Sequence, residues 1–185
     1  MNNRVAYALL GLLVAVLIIQ GPAWPQVSTP VQRVSGKGKA IIVREQGNDH
    51  AYDFSADLKL HEIQDAKLLF QNRANGQLFL VIDVVGPSTS GGNGYCGAGQ
   101  EEYLIWQVLD SKWGQENHKV ELIASCFVTI DSSADSEPYE ISQGKLTAEF
   151  INYRDKVTET LIYDSTKPEK AWTIQREPMP TSPQH

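Results

Sequence analysis

The chain has 185 residues, with 16 Lys and Arg against 22 Asp and Glu, so its formal net charge is −6 at pH 7. This acidic balance argues against binding to nucleic acid or docking on anionic lipid, because both need a basic face. It is compatible with a basic protein partner, although an acidic surface also serves solubility alone.

The N-terminal segment is typical of an export signal. Arg4 provides a positive charge, Val5–Ile19 is an apolar run broken by one glycine, and Gly21-Pro22-Ala23 offers small residues to a signal peptidase. The run is about 15 residues long, short of the roughly 20 that a membrane-spanning helix needs. We therefore expect residues 1–23 to be a cleaved signal peptide and the protein to be secreted or periplasmic. The alternative is an uncleaved N-terminal anchor, which would then be the protein's sole membrane contact.

Composition divides the rest of the chain into three parts. Residues 24–35 contain Pro, Ser and Thr without apolar periodicity and are expected to be a spacer. Residues 177–185 carry three prolines and are expected to be a disordered tail. Between them, residues 36–176 number about 140, which suits a single domain with its own core.

The first half of this domain has the patterns of β-strands. Lys39–Arg44 is rich in β-branched residues, and apolar residues alternate with polar ones over Tyr52–Leu60, which predicts a half-buried strand with its aromatic residues facing the core. The pair Asn75-Gly76 predicts a tight hairpin turn, since both residues tolerate a positive φ. A single stretch, Asp57–Phe70, has a composition that favours a helix in part.

The second half continues in the same way. Tyr103–Leu109 is apolar on both faces, which predicts a central strand covered on both sides. Lys145–Tyr153 and Val157–Tyr163 predict a second hairpin, and Ala171–Gln175 a last strand. The sequence therefore predicts an all-β domain, predominantly antiparallel, with about eight strands, sandwich or barrel-like, and with little helix outside the N-terminal signal.

Several apolar runs end in aspartate. Strand exits favour this residue because its side chain bonds the backbone of the following turn. The aspartates placed in this way are Asp83, Asp110, Asp131 and Asp164.

The two cysteines, Cys96 and Cys126, are expected to form a disulfide. In an exported chain a pair of cysteines is more often bridged than not. On the chain-entropy model this bridge stabilises the fold by roughly 3–4 kcal/mol.

The most distinctive stretch is the glycine-rich connection between two apolar runs, residues 86–99. It holds six of the chain's 14 glycines together with Cys96. Long connections in compact domains tend to be functional, and small polar residues around one rigid aromatic suit recognition. The predicted binding residues of this loop are Ser88, Ser90, Asn93 and Tyr95.

Known catalytic patterns do not account for this loop or for the rest of the sequence. The chain has no His-Glu-x-x-His motif, no phosphate-binding loop and no Cys-x-x-Cys pair, and its four histidines are scattered. Gly86–Ser90 begins like a nucleophile elbow, but Ser90 stands where the second glycine belongs. We therefore assign no catalytic residue and expect no cofactor.

No metal site is assigned either, although one stretch offers a weak candidate for calcium. Oxygen-bearing side chains occur at alternate positions there, as a hard cation requires, but the central glycine and distal glutamate of a calcium helix-loop-helix are missing. The four residues are Asp131, Ser133, Asp135 and Glu137.

The sequence favours a non-enzymatic domain that binds a protein or other macromolecule of the envelope or extracellular space. An inhibitor or immunity-type protein that inserts the 86–99 loop into a partner is one such form. The alternative is a small envelope hydrolase that uses carboxylates near the loop, such as Glu101, Glu102 or Asp110. A structural envelope component with no catalytic function is the third hypothesis.

Overall fold

The computed structural model describes residues 30–88, 99–125, 130–132 and 138–179, and these residues form twelve strands and no helix. The strands are β1 (Arg33–Lys37), β2 (Ala40–Glu45), β3 (Asn48–Asp53), β4 (Asp65–Ala74), β5 (Gln77–Pro87), β6 (Gln100–Leu109), β7 (Gln115–Ser125), β8 (Ile130–Ser132), β9 (Glu140–Ser142), β10 (Lys145–Asn152), β11 (Val157–Asp164) and β12 (Thr173–Pro178).

The strands form two antiparallel sheets. The small sheet has the order β1-β2-β3, and the large sheet has nine strands in the order β12-β11-β10-β8-β7-β6-β5-β4, with β9 also pairing with β10. The large sheet is open at β4 and β12, so the domain is sandwich-like and not a closed barrel. The prediction of an antiparallel all-β fold is confirmed, and the strand count is larger because the pattern did not reveal short strands such as β8 and β9.

Two core clusters lie on opposite faces of β5 and β6. The first packs the inner face of the small sheet, including Ile41 and Val43, against Leu80 and Ile82 of β5. The second packs the other face of the same strands against residues of β10 and β11; its aromatic members are Phe79, Trp106, Tyr139, Phe150, Tyr163 and Trp172. Because successive side chains of a strand point to opposite faces, one pair of strands serves both clusters. The predicted central strand covered on both sides is therefore confirmed.

The tight turns follow from residues that accept the left-handed conformation. Asn75 and Gly76 join β4 to β5 with φ angles of 52° and 79°, the geometry of a type I′ hairpin. Two other pairs, Gln-Gly at residues 46–47 and at residues 143–144, also have positive φ at both positions. The predicted hairpin of residues 145–163 is present as β10 and β11.

Residues 58–64, the crossing segment, connect the two sheets. The amide of Ile63 donates to Gly38 O over 2.6 Å, and the amide of His61 donates to Pro87 O over 2.7 Å. The segment lies so close to β1 and β5 that a Cβ atom on Gly36 would overlap Ile63, and one on Gly86 would overlap the carbonyl oxygen of Glu62. Glycine at these two positions lets the crossing segment lie directly on the strands.

The structure corrects the predicted strand over Tyr52–Leu60. β3 ends at Asp53, and the amides of Asp57 and Leu58 donate to Phe54 O in a turn. Leu58 and Leu60 are buried as part of the crossing segment and not of a strand. The prediction of partial helix over Asp57–Phe70 was also wrong, because β4 begins at Asp65.

The strands reach further than the proposed domain limits at both ends. β1 begins at Arg33, inside the proposed spacer, because Val31 and Val34 pack into the first core cluster. β12 continues to Pro178, inside the proposed tail. β12 is an edge strand, where the missing N–H of a proline costs no ladder hydrogen bond.

Candidate functional site

The glycine-rich connection is carried by the most deeply buried pair of strands. It leaves after β5 and returns before β6, and the amide of Ser88 donates to Gly99 O over 3.1 Å at its base. Ser88 is half-buried and also forms a bridge with Leu60 of the crossing segment. The described ends of the connection are therefore fixed in position by backbone contacts.

Most of the predicted loop lies outside the described residues. Among the predicted binding residues Ser88 is described, whereas Ser90, Asn93 and Tyr95 are not. Cys96 and Cys126 also lie outside the described residues, so their predicted disulfide stays a prediction.

A cluster of polar side chains lies close to the base of this connection, on the face of β5 and β6 that meets the second core cluster. Asp83 of β5 is only 7% exposed, and its Oδ2 accepts a 2.9 Å hydrogen bond from the hydroxyl of Tyr139. Lys67 of β4 stands opposite Asp83 in the strand register, and its Nζ lies 5.6 Å from the centroid of the Tyr139 ring. The carboxyl of Glu102 is within hydrogen-bonding reach of the Asp83 carboxyl.

The folded protein retains the proton of the Asp83 carboxyl to a higher pH than usual. No described donor reaches the buried Oδ1 of Asp83, and one carboxyl bonds another only when either is protonated. Burial raises the pKa of Asp83 above its usual value, while the bonds to Tyr139 and Glu102 and the charge of Lys67 act in the opposite direction. A pair of this kind contains one proton donor and one acceptor, which is the composition needed for general acid–base chemistry.

The three carboxylates named from the sequence lie in different environments. Glu101 and Glu102 point to opposite faces of β6, as neighbours in a strand must. Glu101 is 2% exposed beside Ser125, and its Oε1 accepts no hydrogen bond from the described residues. Asp110 does not lie near the described base of the loop; it follows the other end of β6, where its Oδ1 accepts hydrogen bonds from the amides of Lys112 and Gly114, each over 2.7 Å.

Asp83 itself was misinterpreted as a strand exit. β5 continues four residues beyond it to Pro87, so its side chain is enclosed and bonds no following turn. Asp110 and Asp164 do cap turns, since Asp164 Oδ1 accepts the amide and hydroxyl of Thr166. The signal that could have distinguished Asp83 is the apolar run that resumes after it.

The calcium candidate cannot be assembled from the described residues. Asp131 lies on β8 and is exposed, whereas Ser133, Asp135 and Glu137 are outside the described residues. Within the described part of the chain, no group of three or more His, Cys, Asp and Glu residues could hold a metal ion. Two of the histidines make structural contacts there: His50 stacks on Trp113, and His118 Nε2 lies 3.2 Å from Asp57 Oδ2.

A second polar cluster, which no motif indicated, connects β7 to the far end of the large sheet. The indole of Trp172 donates to Glu121 Oε2 over 3.4 Å, and Lys119 Nζ lies 5.4 Å from its ring centroid. Burial raises the pKa of Glu121. Glu159, 3% exposed, is paired with Arg176 at 3.3 Å. These contacts connect β7 to the β11 and β12 end of the large sheet, and the charges of Lys119 and Arg176 act on the pKa of Glu121 against the effect of burial.

No family model, curated protein or solved structure matches the chain. None of the described ranges contains a helix that could cross a membrane.

Proposed function

We propose that this chain is an exported, non-enzymatic β domain that binds a macromolecular partner through residues 86–99, in the manner of an inhibitor or immunity-type protein. The observation that carries the proposal is the position of this connection on β5 and β6, strands enclosed by core clusters on both faces. The partner is a protein or other macromolecule of the cell envelope or extracellular space.

The ends of the 86–99 connection are fixed in position, and this favours binding through the residues between them. A loop pays an entropic cost when it is ordered on a partner, and that cost falls when its ends are already held. Here the Ser88–Gly99 hydrogen bond and the contacts of the crossing segment hold the ends. Tyr95 supplies the one aromatic side chain between them, and aromatic anchors often carry much of the energy of an interface.

The test compares Tyr95→Ala with a matched control, Tyr153→Ala. Tyr153 is 45% exposed and lies next to the β10–β11 turn, so its removal takes the same kind of side chain from the surface outside the 86–99 connection. Each protein is used to capture partners from envelope and medium fractions, and the affinity for any purified partner is then measured by calorimetry. We expect Tyr95→Ala to weaken binding at least about tenfold, as loss of an anchor residue does, and the control to bind like the wild type. Equal affinities for all three proteins would refute the proposal.

A hydrolase remains the second candidate because of the Asp83–Glu102 pair. Two neighbouring carboxyls that share a proton can donate and accept protons in hydrolysis. This hypothesis is tested with a panel of chromogenic esters and glycosides, comparing the wild type with Glu102→Gln and with the exposed control Glu140→Gln. Turnover that is lost only in Glu102→Gln would favour the hydrolase over the binding module.

A further inference from the structure

A groove on the outer face of the small sheet is lined by none of the residues of the 86–99 connection or of the two polar clusters. Its volume is about 280 Å³. Alternate residues of β1, beginning at Arg33, point to this face, while Val34 points into the first core cluster. The lining includes the cations Arg33, Lys37 and Arg44, the carboxylate Asp49, and Ser35 and Ile42 between them.

Two cations of the groove repel each other, which lowers the stability of the fold. Arg33 and Arg44 stand directly opposite each other in the β1–β2 register, and like charges in such a pair are destabilising. Asp49 offsets this for Arg44, since its two carboxylate oxygens lie 2.6 and 2.8 Å from the guanidinium nitrogens. This bidentate pair also fixes the direction of the Arg44 guanidinium.

Arg33 and Lys37 are not neutralised in the same way. Among the described residues, no hydrogen bond or ion pair within 4 Å involves the charged group of either side chain. The groove therefore concentrates positive charge on a chain whose net charge is −6. Guanidinium groups bind carboxylate, phosphate and sulfate oxygens through paired hydrogen bonds, and an ammonium adds a point charge.

We propose that this groove is a binding site for a small oxyanionic ligand, a molecule of sugar or amino-acid size that carries a carboxylate, phosphate or sulfate. The oxyanion lies between Arg33 and Lys37, and the uncharged part of the ligand covers Ile42. β1 extends only about 13 Å from the first of these cations to the second, which suits a small molecule and not a polyanion.

The test is a titration of the full-length protein with inorganic phosphate and, separately, with acetate, at constant ionic strength and followed by amide NMR. We expect the β1 and β2 amides to shift and saturate. Arg33→Gln and Lys37→Gln should weaken binding about fivefold or more, by loss of a charge-assisted contact. Lys170→Gln, which removes the same charge from an exposed site in the β11–β12 connection, should bind like the wild type.

The two anions distinguish the chemical forms of the ligand. Saturation with phosphate alone would assign the site to phosphoryl or sulfate groups, and saturation with acetate as well would extend it to carboxylates. Shifts that grow linearly with either anion, or equal weakening by Lys37→Gln and Lys170→Gln, would overturn the proposal, because both results describe general surface electrostatics.

Discussion

The hydroxyl of Tyr139 donates to Oδ2 of Asp83 over 2.9 Å, joining residues 56 positions apart in the sequence. Tyr139 precedes β9, whereas Asp83 lies within β5, so the bond fastens the outer strands of the large sheet to its centre. Both residues are at most 8% exposed. Because this hydroxyl donates to a buried carboxyl, the contact is important for stability and for the pKa of Asp83.

Removing this hydroxyl should destabilise the protein. In Tyr139→Phe the ring still fills its place in the core, but Asp83 loses a buried hydrogen-bond donor, so we expect the free energy of unfolding to fall by about 1–3 kcal/mol. Urea denaturation at pH 7 measures this change. The control Tyr153→Phe removes a hydroxyl from an exposed ring and should change stability by less than about 0.5 kcal/mol. Equal effects of the two substitutions would show that the buried bond contributes nothing specific.

Stability should depend on pH through Asp83 in a direction opposite to that of an ordinary salt-bridged carboxylate. Because burial raises the pKa of Asp83, the unfolded chain releases this proton first, near pH 3.9, while the folded protein retains it. Raising the pH from about 4 to the folded-state pKa therefore lowers stability, by about 1.4 kcal/mol for each unit of difference between the two pKa values.

The difference between the wild type and Asp83→Asn isolates this contribution. The amide can still accept the Tyr139 hydroxyl, and it can donate to Glu102. We expect the two proteins to be similar near pH 4 and the variant to gain in relative stability as the pH rises to 7. The lowered pKa values of Asp49, Asp53 and Asp164 act in the opposite direction, but they are common to both proteins. A difference that does not change with pH would disprove the raised pKa.

Substitution of Gly86 should be unusually costly. An alanine methyl group there would overlap the carbonyl oxygen of Glu62, which belongs to the crossing segment and cannot rotate away as a side chain can. We expect Gly86→Ala to lower the free energy of unfolding by about 3 kcal/mol, the upper end of overpacking effects. Gly38→Ala is the control, since its Cβ meets no atom within 4 Å and its cost comes from a φ of 59° alone. A loss from Gly86→Ala no larger than that of the control would mean that the crossing segment moves aside readily.

The cysteines give a prediction that is independent of the described residues. If Cys96 and Cys126 are bridged, the unfolded, unreduced protein contains no reactive thiol in a colorimetric assay, and Cys126→Ser exposes one. We expect that substitution to lower stability by roughly 3–4 kcal/mol on the chain-entropy model. Two reactive thiols in the wild type would exclude the disulfide.

Local signals in the sequence predicted the hairpins and the central strand. Asn75-Gly76 specifies its turn by conformational preference alone, and Tyr103–Leu109 is apolar except for the buried Gln107 because both its faces are enclosed. The alternation of apolar and polar residues over Tyr52–Leu60 predicted a strand that is too long, and the reason is physical. The pattern reports which side chains are buried, and Leu58 and Leu60 are buried by a segment that crosses the sheets without being a strand.

The candidate site could be predicted only in part. The opposite orientations of Glu101 and Glu102 follow from the period of a strand, but the partnership of Asp83 with Tyr139 depends on how the large sheet bends. Contacts between residues so distant in sequence have no local pattern. The outer groove was missed for a similar reason, since Arg33 fell within the proposed spacer and its position opposite Arg44 appears only when β1 pairs with β2.

The order of strands in the large sheet has a consequence for how the chain reaches its folded state. From β4 to β8 every new strand pairs with the one before it. Strands β10, β11 and β12 then add in turn to the edge formed by β8, and β9 pairs with β10, which follows it in the sequence. Most strands thus pair with a neighbour in sequence, which favours faster folding than the pairing of strands distant in sequence. If the protein is exported N-terminus first, as proposed, the sheet assembles as the chain emerges, because most strands then find their partner already in place.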